Sequence, residues 1–141
     1  MRKRTVIICA LIALASRWAS AQKADDQLRG SLFPPELVMQ NQQTLGLTDD
    51  QQAYFKTEIR QVQTRFTELQ WKIEDEMEKM VSLAKQPKVD EPQALAQLEK
   101  VLGLEREIKR AQITLLIRIK NKLTAEQQAR LREIQSKPGA K

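Results

Sequence analysis

An all-α fold, built on one long antiparallel helical hairpin with short flanking helices, is the architecture this sequence predicts. Three observations carry it. The stretch from Asp49 to Lys85 contains neither Gly nor Pro before the Gln86-Pro87 break. Its apolar residues Phe55, Ile59, Val62, Phe66, Leu69, Ile73, Met77, Met80 and Ala84 are spaced 4, 3, 4, 3, 4, 4, 3, 4, the period of one face of a helix that packs along a seam. The whole chain holds only four Gly and five Pro with 30% charged residues, too few turn formers for a sheet of many strands.

The elements follow in order. Met1-Arg2-Lys3-Arg4 precedes an apolar run from Thr5 to Ala15, and Ala19-Ser20-Ala21 closes the segment. A basic start, a short apolar core and a small-x-small site read as a secretory signal peptide cleaved after Ala21. A retained N-terminal anchor is the alternative; the run is shorter than the roughly 20 residues that cross a bilayer. Residues 22–31 form a flexible N-terminal segment. Pro34-Pro35-Glu36 starts a first helix, since Pro suits the first turn, and Gly46 ends it near Leu45. Leu47-Thr48-Asp49-Asp50-Gln51 opens the long helix with a capping box, in which Thr48 and Gln51 each satisfy the other's backbone N–H. At 1.5 Å per residue that helix spans about 55 Å.

Gln86-Pro87-Lys88-Val89 forms the loop, and an Asp90/Gln93 pair starts a second long helix with a stripe of Leu95, Leu98, Leu102, Ile108, Ala111, Leu115 and Ile119. Gly103 marks a bend or a close helix approach. Two long helices on a short loop make an antiparallel hairpin. Leu123-Thr124-Ala125-Glu126-Gln127 repeats the earlier cap and opens a short last helix. The hairpin domain thus covers residues 32–135, and 136–141 are a polar tail. Tyr54, Trp71, Val81, Val101, Leu104, Leu116 and Ile117 fall off the predicted stripes; some should pack against the first and last short helices, and the remainder imply a partner subunit or an exposed binding surface. An isologous homodimer is the simplest cover.

Composition excludes several functions. The chain has no His and one Cys, so Ser-His-Asp and Cys-His catalysis, His-based zinc sites and internal disulfides are absent. No enzyme and no cofactor are expected. The formal charge of +6 falls to +2 once Arg2, Lys3, Arg4 and Arg17 leave with the signal, which removes the footprint of a nucleic-acid binder.

The paired motifs Leu47-Thr48-x-x-Gln51 and Leu123-Thr124-x-x-Gln127, on an exported helical chain of this size, resemble the Spy/CpxP family of periplasmic stress proteins, related to the ZraP- and CnrX-like metal-responsive proteins. The resemblance covers roughly residues 34–135. It implies a cradle-shaped dimer of hairpins and, in the Spy-like branch, an ATP-independent periplasmic chaperone holding unfolded or misfolded envelope proteins. It implies a structural role for Leu47, Thr48, Gln51, Leu123, Thr124 and Gln127. The CpxP-like branch implies docking on a membrane sensor kinase, and the remaining relatives imply metal sensing, from which the missing His departs.

A holding chaperone needs adaptable apolar contacts beside charge. The candidates are Trp71, Met77, Met80, Ile113, Leu116 and Ile117, rimmed by Lys109, Arg110 and Arg118, with Lys120 and Lys122 in the same basic cluster. Each apolar residue has an ordinary core role as its alternative. The basic cluster could simply be a solvated face or pair with Glu68, Glu74, Asp75, Glu76 and Glu78 across the hairpin. For a metal, Glu74 and Glu78 at i, i+4 and the thioethers of Met39, Met77 and Met80 are the available donors. Carboxylates at that spacing are common on solvated helices, so no metal site is assigned.

Overall fold

The computed structural model describes residues 27–28 and 30–137; the expected signal peptide with its expected cleavage site, and the end of the expected tail, lie outside the described residues. The chain divides into two compact units, residues 1–34 and 35–141. In the first, the Ser31 amide donates to the carbonyls of Gln27 and Leu28, at 3.1 Å each, and closes a helical turn. In the second, the described residues form four helices: α1 (Pro35–Gln40), α2 (Asp49–Ala84), α3 (Glu91–Lys122) and α4 (Ala125–Ser136). The fold is all-α, and the antiparallel pair α2–α3 is its body.

α1 is shorter than the sequence predicts. It stops at Gln40, where the Leu37 carbonyl accepts from the Asn41 side chain at 2.8 Å as well as from the Asn41 N–H at 3.3 Å, a local side-chain bond of the kind that weakens helix continuation. Residues 41–46 continue as hydrogen-bonded turns, with Leu45 N donating to Asn41 O at 2.9 Å and Leu47 N to Gln42 O at 3.0 Å. Gly46 then takes φ +60, the left-handed conformation that ends such a segment. α2 begins and ends where the pattern places it. Thr48 is its N-cap, and both halves of the capping box with Gln51 are formed. α3 has half a box only: Asp90 Oδ1 accepts from Gln93 N at 3.0 Å, and Pro92 occupies its first turn.

The seam departs from the predicted stripes at its distal end. Along α2 the seam runs through Phe55, Ile59, Val62, Phe66, Leu69, Ile73, Glu76, Met80 and Leu83, all buried or half-buried, while Gln51, Gln52, Tyr54 and Glu58 are covered off that line near the open end. This is an unbroken 4, 3 alternation that passes through Glu76 rather than Met77. Met77 and Ala84, placed on the seam by the sequence reading, are exposed. Along α3 the seam is Ala94, Gln97, Val101, Leu104, Ile108, Ala111 and Leu115; Leu95 and Leu102 are exposed, while Val101 is buried and Leu104 half-buried. In both helices the heptad register outranks hydrophobicity, since a constant 3.5-residue period keeps one face on the partner.

A polar layer results. Gln97 Nε2 donates to the Glu76 carbonyl at 2.8 Å and to its carboxylate at 2.6 Å, while Lys79 Nζ donates to Glu76 Oε1 at 2.7 Å. The Lys79 and Gln97 hydrogen bonds hold the Glu76 carboxyl below its ordinary value. A lowered carboxyl stabilises the fold above the unfolded value and ceases to do so as pH falls through the lowered one. Carboxyl NMR of Glu76 should therefore give a midpoint below the ordinary glutamate value; an ordinary midpoint would contradict the layer.

Of the fully buried side chains of this unit, Val38, Phe55, Ile119 and Leu131 lie toward the open end of the hairpin, where Leu45, Leu47 and Leu123 are also buried, and Leu69 lies midway along α2. Beyond Leu69, α2 buries no residue completely. Gly103 marks no close helix approach, since a Cβ there meets nothing within 4 Å, and α3 runs through it without interruption. Gly103→Ala should stabilise the protein by about 0.5–1 kcal/mol through helix propensity, read as a rise in the urea midpoint at constant m. A loss would mean that the helix needs the glycine.

Candidate functional site

The two Leu-Thr-x-x-Gln motifs meet. Gln51 Nε2 donates to Gln127 Oε1 at 2.9 Å, and Gln127 Nε2 donates to Gln51 Oε1 at 3.0 Å. Each amide oxygen also accepts the N–H of its own cap residue, Thr48 at 3.1 Å and Thr124 at 2.9 Å. Each amide nitrogen donates its second hydrogen to a carbonyl at the end of a segment, Gln51 to Lys122 at 2.9 Å and Gln127 to Leu45 at 3.3 Å. Both donors and both acceptors of two glutamines, each 7% exposed, are thereby used.

The arrangement is pseudo-twofold: each helix start is tied to the end of the segment preceding the other. Leu47 and Leu123 are buried beneath it, and Arg130 closes the edge by donating to Thr44 O at 3.0 Å. Lys122 adds an ion pair to Asp50 at 2.8 Å and sits 5.1 Å from the centre of the Tyr54 ring. This is a clasp for the hairpin's open end.

The hairpin's two flanks differ. Arg65 pairs with Glu107 at 2.6 Å and Arg118 with Glu58 at 2.7 Å, so these residues share one flank. Hydrogen bonding to those carboxylates raises both guanidinium pKa values. Lys72, Lys100, Gly103 and Arg110 line an open groove of about 690 Å³ on the same side. Helical geometry turns Gln70 and Met77 on α2, and Leu98, Glu105 and Gln112 on α3, to the opposite flank. At the distal end that second flank is apolar. Met77 is 41% exposed, Leu95 53% and Leu102 38%, with Ile73, Met80 and Leu98 half-buried behind them.

The sequence-derived contact residues are not brought together on one surface. Met77 and Met80 belong to the distal apolar flank, Met80 as a seam residue. Trp71, 66% exposed, points away from the seam on the outer face of α2. Ile113 and Leu116, half-buried, and Ile117, exposed, lie on the outer side of α3 with exposed Lys109 and Arg110. Arg118 is engaged by Glu58. Among the described residues, Arg118 and Lys122 of the basic cluster pair across the hairpin with Glu58 and Asp50 rather than with the acidic stretch, while Arg65 sits beside Glu107 and Glu76 beside Gln97. The antiparallel register therefore sets residues 106–110 near residues 63–67 and away from residues 74–78.

Leu95, Leu98 and Leu102 are the flank residues that apolarity alone assigned to the core. Carrying the heptad unbroken through Glu76 and Gln97 would have exposed them. Glu74 and Glu78 are both exposed on one face of α2 beside Met77, with Lys85 on the same shallow surface. Among the described residues no group of three or more His, Cys, Asp or Glu converges. Among those residues, also, no helix is long and apolar enough to cross a membrane.

No curated protein and no solved structure is significantly similar to the chain. A family model described as heavy-metal resistance matches residues 5–134. That span takes in both clasp motifs and the whole hairpin, and the chain belongs to this heavy-metal resistance family, one of the Spy/CpxP/ZraP-like helical proteins whose members are typically periplasmic.

Proposed function

We propose that the protein is a periplasmic, ATP-independent chaperone that holds unfolded or misfolded envelope proteins, with no enzymatic activity of its own. The observation that carries this reading is the distal apolar flank. Met77, Leu95 and Leu102 stand exposed in one strip on a hairpin whose opposite flank is charged and ion-paired. A Met-containing apolar strip repacks against varied partners, and the neighbouring charges keep a loaded complex soluble. The clasp bears on this use as well, because it leaves the distal half to be held by the seam alone.

The test is light scattering of a chemically denatured client diluted into the protein without nucleotide. Equimolar wild type should suppress aggregation, and Met77→Ser/Leu95→Ser should lose most of the effect with unchanged circular dichroism. No suppression by the wild type at several-fold excess would remove the reading.

The family match favours a second reading, a metal-responsive regulator. The donors at hand fit poorly. Glu74 and Glu78 supply two carboxylates on one exposed helix face, with a thioether and a lysine as neighbours, fewer than the coordination a transition metal needs. Titration calorimetry with Zn, Ni and Cu(I) decides it: saturable binding with a raised Tm supports the regulator, and flat traces dispose of it.

A further inference from the structure

The antiparallel register leaves the two outer faces of the hairpin with opposite charge. On α2, Trp71 is flanked at −3, +3, +4 and +7 by Glu68, Glu74, Asp75 and Glu78, all exposed. On α3, Ile113 is flanked at −7, −4, −3 and +7 by Arg106, Lys109, Arg110 and Lys120. Glu74, Glu78, Arg106 and Arg110 take part in none of the ion pairs among the described residues. The faces point in opposite directions, so one molecule cannot bring its own two together.

We infer that the acidic outer face of α2, centred on Trp71, docks on the basic outer face of α3, centred on Ile113, of a second copy of this chain. The complementarity holds residue by residue. With the two helices antiparallel and Trp71 set opposite Ile113, the outermost heptad positions pair Glu78 with Arg106 and Lys85 with Glu99, so the sign reverses on both sides at once. The flanking positions pair Asp75 with Arg110 and exposed Val81 with exposed Leu102. An exposed Trp within a charged rim is the usual centre of a protein contact.

Because α2 of one copy meets α3 of the next, the contact is heterologous and generates a row or ring rather than a closed pair. Successive hairpins point the same way, displaced axially by about 16 Å at 1.5 Å per residue. Their Met77-bearing flanks then lie along one side. The contact shares Leu102 with the client-holding flank, while the charged residues and Trp71 that the test addresses lie outside that flank.

Sedimentation velocity of the full chain at 25 and 500 mM salt tests it. The wild type should form species larger than a dimer at low salt that dissociate at high salt. Asp75→Lys/Glu78→Lys and Arg106→Glu/Arg110→Glu should each weaken this assembly by about tenfold or more. Mixing the two variants should restore it, since each reversed face then meets its opposite. Circular dichroism monitors the fold, which these exposed positions should leave intact. Trp71→Ala should weaken assembly at both salt concentrations. A wild type that never exceeds a dimer, variants that assemble like the wild type, or a mixture no larger than its components would each overturn the inference.

Discussion

Gln51→Ala and Gln127→Ala should each lower the unfolding free energy by about 2–4 kcal/mol, a drop in Tm of about 10 °C. Removing the Gln51 amide breaks four hydrogen bonds: from Thr48 N, to Lys122 O, and the two exchanged with Gln127. Water cannot easily replace it at a site 7% exposed. A buried group left without its partner costs about 1–3 kcal/mol. The mutual bonds also fix the double mutant. Once one glutamine is gone, the other has already lost half its partners, so Gln51→Ala/Gln127→Ala should cost about 1–2 kcal/mol less than the sum of the singles. Urea unfolding of the four proteins measures this. Additive losses would mean that the two amides act only as separate helix caps.

The clasp also marks what could be read from the sequence. The two capping boxes were legible because a box is local: Thr and Gln three positions apart meet whatever the rest of the chain does. That Gln51 and Gln127 bond each other was not legible, since the contact joins residues far apart in sequence and depends on the hairpin bringing both helix starts to one end. The body of the fold was legible from the long Gly- and Pro-free stretch and its heptads.

The distal seam was misread for a physical reason. Ranking positions by apolarity selects Met77, Leu95 and Leu102, whereas the supercoil admits only residues at a constant period and so buries Glu76 and Gln97 in their place. The helix end at Gln40 was hidden likewise, because it coincides with the Asn41 side chain's bond to the Leu37 carbonyl, a local bond of the kind that weakens helix continuation. As for the contact surface, the sequence reading gathered Trp71, Met77 and Ile117 by residue type. The register distributes them over an outer face of α2, a flank, and an outer face of α3.

Phe55→Ala should be the most damaging single truncation, costing about 3–5 kcal/mol in a domain whose total stability is of order 5–15 kcal/mol. Phe55 is wholly buried, as are Val38, Ile119 and Leu131. These come from α1, α2, α3 and α4, so every helix of the unit contributes to the cluster. Removing the ring leaves a cavity that four elements, already fixed by the clasp, can only partly collapse into. The same truncation at the other end behaves differently. Leu95, 53% exposed, loses little buried area on becoming alanine, and Leu95→Ala should change stability by about 0.5 kcal/mol or less.

Amide exchange should show the gradient without mutation. The amides around Phe55 and Ile119 should open only with global unfolding, whereas those from Val81 to Leu95, where α2 has no fully buried residue, should open at lower free energy. Comparable costs at Phe55 and Leu95, or uniform protection along α2, would contradict this division. If it holds, the protein is anchored at one end and yielding at the other, and the yielding end carries the exposed methionine and leucines that a client would meet.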